Sequence, residues 1–444
     1  MFFKHLSRAA AIALCAATPH LRAATPEAAM NAAIVPGADL HAEYKNLAKI
    51  YASPVYKQIL AVTERYMQFM QEMMKNAGQD MPFDFDYKTV MALGDKHNLG
   101  VENYNDYIVS LTINPFIARC VALAKDGGDI THIDDLRVLF ACSFHKPVTK
   151  ENLRGYFNEL VAFGVKLAKS MEVDTEEIEK FLAEAPEHIG VTDFTHGGAT
   201  GFNITPKPDE DDRKDFPLEK IPVLSIALLA DGKALFIGLE DEVKAAINRA
   251  NAGEKAEPSP ALKKLLDAPL GGKPLAAREE VFAYVVPQLF RDFLTDVTKD
   301  LKDEDLPLPG LKPAINAAKN LQGFRGFGEY GDKMDCVMSF AFDTPERAVE
   351  VRDFLQINVL NMAKMFLFQL VGKNTAFAES LAAAAEGDSA SIALSLSGDD
   401  LNLFFDTFKK YIEKMRAQFR DAFPPGLRDP APAPFFVDED DDDE

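Results

Sequence analysis

Two stretches, two hundred residues apart, decide the fold class. They are DLRVLFACSFHKPVTKENLRGYFNEL (Asp135–Leu160) and DCVMSFAFDTPERAVEVRDFL (Asp335–Leu355). Each opens with β-branched and aromatic residues in a short apolar run, breaks at a proline, and continues with apolar residues three and four apart. The first pattern is that of a strand and the second that of a helix. In the first stretch Leu153, Phe157, Leu160 and Val161 mark one helical face, so the helix runs from Lys150 to about Met171. Strand, turn and helix used twice imply two similar modules, a duplication within an α+β chain.

Outward from these stretches the same grammar recurs. Tyr104–Ile113, Ile189–Ile204, Val223–Leu229 and Ala234–Gly238 read as strands, the last two joined by the hairpin turn Ala230-Asp231-Gly232-Lys233. Glu240–Ala250 reads as a helix. From Glu279 the pattern restarts, with strands at Val281–Val286, Gly323–Tyr330, Met334–Phe342 and Ser389–Leu396. Helices follow at Pro287–Leu301, Lys312–Asn320, Thr344–Val371 and Leu401–Phe419. Asp174–Ala185 reads as a further short helix. Asp39–Ala52 also has helical spacing through Leu40, Tyr44, Leu47 and Tyr51, and Ser53-Pro54 then caps a longer helix to about Asn76. The expected architecture is α+β, with mixed or antiparallel sheets flanked by helices and an N-terminal helical segment. Its parts are a leader (1–23), a first module with the N-terminal helices (24–273), a second module (274–423) and a Pro-rich, acidic tail (424–444).

The leader places Lys4 and Arg8 before an apolar run, Ala9–Ala17, and small residues follow. That order is a secretory signal, too short to span a bilayer. Cleavage after Ala17 or Ala23 is expected. The longer cut removes Lys4, Arg8 and Arg22, which makes the formal charge of −21 more negative still. Cys15 lies in Ile12-Ala13-Leu14-Cys15, but Leu14 stands where a lipid-attachment signal wants a small residue, so acylation there is the lesser expectation. Cys120, Cys142 and Cys336 remain, an odd and widely spaced set that forms neither a disulfide framework nor a zinc motif. The acidity excludes a nucleic-acid partner, which needs a basic footprint, and disfavours an anionic membrane surface. No later segment reaches 18 consecutive apolar residues, so no transmembrane segment is expected.

No catalytic constellation emerges. His41, His97, His132, His145, His188 and His196 show no paired zinc spacing. His196-Gly197-Gly198 invites an oxyanion loop, but no Gly-x-Ser-x-Gly elbow accompanies it, and a turn between strands explains the glycines better. Gly323, Gly326 and Gly328 lack dinucleotide order and mark a packed strand. No cofactor is expected. Among 33 phenylalanines there is no tryptophan, which disfavours a carbohydrate-stacking site. The acidic runs Asp209–Asp212 and Asp438–Glu444 could take calcium weakly but lack the spacing of a high-affinity loop. Most suggestive is the soft face carrying Met67, Phe69, Met70, Met73 and Met74 on the helix 55–76, a candidate surface for an apolar ligand or a partner, although such a stripe is usually core.

Three further stretches carry a resemblance. They are VPGADLHAEYKNLAKIYASPVYKQIL (Val35–Leu60), ALLADGKALFIGLEDEVKAAI (Ala227–Ile247) and ALSLSGDDLNLFFDTF (Ala393–Phe408). Together they resemble uncharacterised exported bacterial proteins of duplicated α+β build, in which a hairpin such as Asp231–Gly238 enters a helix. The resemblance implies fold and export, and it carries no catalytic residues. The resulting expectation is an exported, non-enzymatic binding or assembly protein of the bacterial envelope or periplasm. A carrier of a small apolar ligand through helix 55–76 is the first alternative, and a hydrolase using His145, His188 or His196 beside paired carboxylates is the second.

Overall fold

The computed structural model describes residues 24–76, 87–126, 133–170, 180, 187–208, 220–299, 311–373 and 375–422. The leader, the helix expected at Asp174–Ala185 apart from residue 180, both acidic runs and the C-terminal tail lie outside them. Among the described residues one 12-stranded sheet organises the chain, and every neighbouring pair of strands in it is antiparallel. Its centre is β1 (Leu40–Tyr44), paired on one side with β2 (Tyr104–Thr112) and on the other with β10 (Glu280–Val285). Beyond β2 come β3 (Arg137–Phe144), β7 (Ala234–Leu239), β6 (Leu224–Leu229), β5 (Ala199–Pro206) and the edge strand β4 (Ile189–His196). Beyond β10 come β11 (Gly323–Tyr330), β12 (Lys333–Ala341), β14 (Ser389–Ser397) and the other edge strand, β13 (Ala382–Glu386). A separate two-residue ribbon pairs β8 (Pro269–Leu270) with β9 (Lys273–Pro274).

β1 corrects the reading of Asp39–Ala52 as one helix. Leu40, Ala42 and Tyr44 also alternate with His41 and Glu43, and the two pairing partners supply more hydrogen bonds than a lone helical turn could. Asn46, in the left-handed region at φ 55°, separates the strand from the short helix α2 (Leu47–Ala52). Ahead of β1 lies α1 (Pro26–Ala32), capped by the Thr25 hydroxyl accepting from the Ala28 N–H. After α2 the chain enters α3 (Pro54–Asn76) and α4 (Tyr87–Lys96). The alanine-rich β13 also carries a helix former's composition, yet it is a strand, because β14 offers it a complete ladder from Ala390 to Ala393.

β3 is followed by α6 (Lys150–Ser170), then by the hairpin β6–β7 and α7 (Glu240–Ala252), and β7 returns beside β3. β12 is followed by α11 (Pro345–Val371), then by the hairpin β13–β14 and α13 (Gly398–Ala422), and β14 returns beside β12. The first of these halves carries an extra hairpin, β4–β5, turned by Gly197 and Gly198 at φ 54° and 84°. That is the turn expected after His196. The remaining helices are α5 (Asn114–Asp126), α8 (Pro260–Asp267), α9 (Gln288–Thr298), α10 (Leu311–Ala318) and α12 (Ala376–Ser380).

Strand alternation splits the core. On one face Leu139, Ala141, Phe236 and Ala283 pack under α1, α7 and α8. On the other, Cys142, Phe144 and Leu235 meet Val148 and Leu153 at the start of α6, while Phe342 and Ala390 meet α10 and the start of α11. Cys120, Cys142 and Cys336 are free thiols, and burial pushes Cys142 far above its ordinary pKa and Cys336 up to about 11.

Glu242 of α7 joins three elements. Its buried carboxylate accepts from Arg137 Nε and Nη2 of β3, at 2.8 and 2.5 Å, and from Arg249 Nη2 at 3.3 Å. Arg249 also donates to the carbonyls of Ala32 and Ile34, and Arg137 to that of Pro36. Removing the acceptor strands two guanidinium groups beneath α1. We therefore expect Glu242→Ala to lose about 3–5 kcal/mol of stability, read as a lower urea midpoint, with Glu242→Gln losing less; an unchanged midpoint for Glu242→Ala would refute the clamp.

Candidate functional site

An apolar opening forms where β10 leaves the sheet. Val286 and Pro287 follow the strand, and Pro287 is in extended geometry at the head of α9. The helix sequence QLFRDFLTDVT puts Leu289, Phe290 and Phe293 toward α5 and the sheet, with Asp292 and Asp296 one turn apart at the rim. Ile117 and Val121 of α5 form the opposite wall, and Tyr284 and Phe324 form the floor. The cleft holds about 590 Å³, within the range of small-molecule sites. Phe290 and Phe293 remain 41% and 59% exposed, so the wall they make is open to an incoming apolar molecule.

Polar bonds hold the walls apart. Tyr284 donates its hydroxyl hydrogen to Asn114 Oδ1 at 3.0 Å, and Asn114 Nδ2 donates to the Val285 carbonyl at 2.8 Å. These two bonds pin the start of α5 to the end of β10. Arg291 reaches the other way, donating to the Leu321 carbonyl and Gln322 Oε1, both at 3.2 Å, and fixes α9 to the loop before β11. Phe324 stacks edge-on against Phe340 at 5.6 Å, which fixes the floor. Burial raises the Tyr284 hydroxyl above its ordinary pKa, so it stays a neutral donor.

The soft helical face lies elsewhere. Phe69 of α3 is buried against Phe405 of α13 in an edge-on contact at 6.4 Å, and Lys409 stands 5.4 Å over the Phe69 ring. Arg65 covers Phe405 at 4.4 Å and donates to Asn402 and Asp406. Met67, Met70 and Met73 are half-buried on the same helix, and the side chain of Met74 lies outside the described residues. The face therefore meets a partner helix from its own chain.

Among the described residues no histidine stands beside paired carboxylates. Among the described residues two histidine–carboxylate pairs occur, each with a single carboxylate: His41 Nε2 at 3.6 Å from Glu43 and His97 Nε2 at 3.3 Å from Glu159. His196 Nε2 faces Asn248 Oδ1 at 2.9 Å, and the His145 N–H donates to the Asn103 carbonyl. His188 is half-buried at the start of β4, where its carbonyl accepts from the Lys207 N–H. No cluster of three or more His, Cys, Asp or Glu suited to a metal occurs among the described residues. His41, Glu43 and Lys45 line a second, polar cleft of about 240 Å³. Glu43 has its pKa lowered there: burial opposes the shift, while His41 and Lys45, the latter 3.1 Å away, outweigh it.

A third cluster sits on the sheet itself. Register places Tyr44, Glu280, Gly328 and Cys336 side by side across four strands. A Cβ at position 328 would come within 2.5 Å of Glu280 Oε2, so the glycine leaves that carboxylate room to lie across the strand. Burial raises Glu280 above the ordinary carboxylate range, opposed by the Tyr330 and Tyr44 hydroxyls.

The cleft residues Ile117, Val121, Phe290 and Phe293 were not singled out by sequence. The only signal is a short amphipathic helix after Pro287 whose two phenylalanines sit one turn apart, a spacing equally compatible with ordinary core.

No known family model and no curated protein matches the chain. Solved structures that resemble it include crystal forms I and III of TP0453, a bacterial protein. Both are 9% identical with a TM-score of 0.30, and the likeness covers 87% and 85% of this chain and 99% and 96% of that one. Values this low assign neither fold nor function.

An acid whose folded pKa lies above its unfolded one keeps its proton longer in the native state. Native stability therefore falls as pH climbs from the ordinary carboxylate range through the raised value. Glu280→Gln removes that loss. Its Tm relative to the wild type should rise as pH climbs above the ordinary carboxylate range, measured by calorimetry, and a difference that does not change with pH would show that Glu280 is not the group responsible.

Proposed function

We propose that the protein is an exported, non-enzymatic binding protein that holds a small apolar ligand between α5 and α9. The observation that carries this reading is the lining of the 590 Å³ cleft, where among the described residues the ionisable side chains are Tyr284 and the rim carboxylates Asp292 and Asp296. Binding of this kind draws on removal of apolar surface from water, about 25 cal/mol per Å², and needs no reacting group. A site of this size suits one acyl chain or a fused-ring molecule. Binding rather than catalysis is further supported by the use of the buried charges, since Glu242 is bound to two arginines and Asp39 caps a helix. Helix α3 is not the ligand wall in this reading, because α13 covers its apolar face.

The leader supports release into the periplasm or the medium, with anchoring through Cys15 the lesser route. The acidic runs remain candidates for weak calcium binding only.

The experiment is native mass spectrometry of protein purified gently from its own envelope fraction, paired with titration of the neutral fluorophore N-phenyl-1-naphthylamine. Extra mass released on denaturation is expected, and the fluorophore should bind to the emptied cleft. Val121→Trp, which fills the cleft, should weaken that binding about tenfold or more, the loss of some 1.4 kcal/mol. A bare chain together with fluorophore binding indifferent to Val121→Trp would sink the reading. The mass also fixes the N-terminus: Thr18 or Ala24 supports release, and an acylated Cys15 supports anchoring.

A further inference from the structure

We propose that the C-terminal half of α11, with the adjoining surface of α13, docks in the headgroup region of an anionic lipid membrane. α11 spans 27 residues, and only 6% of its most apolar 18-residue window is buried, although that window has a mean hydropathy of 1.3. From Phe354 to Val371 the one charged residue is Lys364. Ile357, Met362, Met365, Phe366 and Phe368 are each at least half exposed. Met362, Met365 and Phe366 stand three and four residues apart, so they share a face. A contiguous run of large apolar side chains on a helix surface is the kind of patch that marks an interaction site, since single exposed residues are common but stripes are not.

The helix is built to lie on a membrane rather than to cross one. Its first half is part of the core, where Ala348 and Val351 pack with Ala317 and Ala390. Crossing would strip these residues from their packing. Gln356, Asn358, Asn361, Lys364 and Gln369 also interrupt the apolar run, and each would face hydrocarbon in a spanning helix. At Leu355–Leu360 the helix widens to an i→i+5 pattern, and Gln356 uses its side chain on the Ala383 N–H and on Asn361. The exposed C-terminal half thus projects from a fixed base.

Charge selects the occupant. α13 packs against this half of α11 and brings exposed Phe408, Lys410, Tyr411 and Lys414. Of the exposed charged residues between Phe408 and Lys414, Lys410 and Lys414 outnumber Glu413, in a chain whose formal charge is −21. Lys373, just past the end of α11, is exposed as well. Screening limits a charge's reach to about 10 Å, so this local excess decides what approaches the face, and the distant carboxylates do not. Aromatic rings bordered by lysines suit the level of lipid headgroups. A second copy is the poorer occupant, because a two-fold contact through this face would set like lysines against one another, whereas anionic headgroups neutralise them.

The test is flotation of the full chain with vesicles of phosphatidylcholine, alone or mixed with phosphatidylglycerol. Flotation is expected on the mixed vesicles, about tenfold weaker on phosphatidylcholine alone and weakened by high salt. The double variant Met365→Asp, Phe366→Asp should abolish flotation while leaving Tm and fluorophore binding in the α5–α9 cleft unchanged, since both side chains are more than half exposed. Lys410→Glu, Lys414→Glu should abolish only the preference for the anionic lipid. Absence of flotation on either vesicle, or flotation that survives the double aspartate variant, overturns the proposal. So does a dimer in sedimentation equilibrium that the aspartate variant dissociates and vesicles do not bind.

Discussion

Strand β1 is five residues long, and the continuity of the sheet passes through it. Its ladder joins β2 on one side and β10 on the other, so the strands on either side of it share one sheet only while both ladders hold. Asp39, immediately before it, fixes the register at that seam. Its N–H donates to the Leu111 carbonyl, and its own carbonyl accepts from Val285, which ties the ends of β2 and β10 to one residue. Its carboxylate accepts from the N–H groups of Ile113 and Asn114 and so caps α5. Burial raises its pKa in spite of these bonds. The cleft between α5 and α9 descends from the same seam, because one wall begins at the capped helix and the other at the end of β10.

Buried arginines serve the same end at greater distance. Arg325 donates to the carbonyls of Leu265, Ala268 and Pro269, and to the Ser389 hydroxyl. Arg278 lies over the Phe327 ring at 3.8 Å and donates to the carbonyls of Leu270 and Gly271. A guanidinium suits such places because its fixed fork of donors can satisfy several carbonyls at a helix end at once. These contacts hold α8 and the ribbon after it against the second half of the sheet. These two arginines are thereby committed to architecture, while large apolar side chains stay exposed at the cleft and on the outer face of α11. The two are independent features. The cleft is a concavity lined by side chains from four elements, whereas the outer face belongs to two neighbouring helices.

Where local pattern and tertiary demand agreed, the sequence was legible. The β6–β7 hairpin, the turn at Gly197-Gly198, the strand pair Gly323–Phe342 and the long helix after Thr344 all follow from alternation, punctuation by glycine and proline, or a 3.6-residue period. Asp39–Ala52 is the instructive exception. Leu40, Tyr44 and Leu47 fit a helix as well as Leu40, Ala42 and Tyr44 fit a strand, and only the presence of two pairing partners, some 65 and 240 residues later in the chain, resolves it. β13 was missed for a related reason, since a run of alanines has no period to read.

The candidate sites divide along the same line. The chain's order of residues by itself determined the α+β class, many of the local elements and the acidic balance, because these depend on neighbours a few residues apart or on composition alone. It also marked the Met- and Phe-rich face of α3 as apolar, but could not say whether ligand, core or partner would cover it. Tertiary structure set Phe69 of that face against Phe405 of α13, opened an apolar cleft among Ile117, Val121, Phe290 and Phe293, and left the apolar face of α11 exposed among the described residues. Each of these depends on which surfaces meet across a hundred residues or more. Hydrophobicity is non-directional, so an apolar face states that it must be covered without naming what covers it.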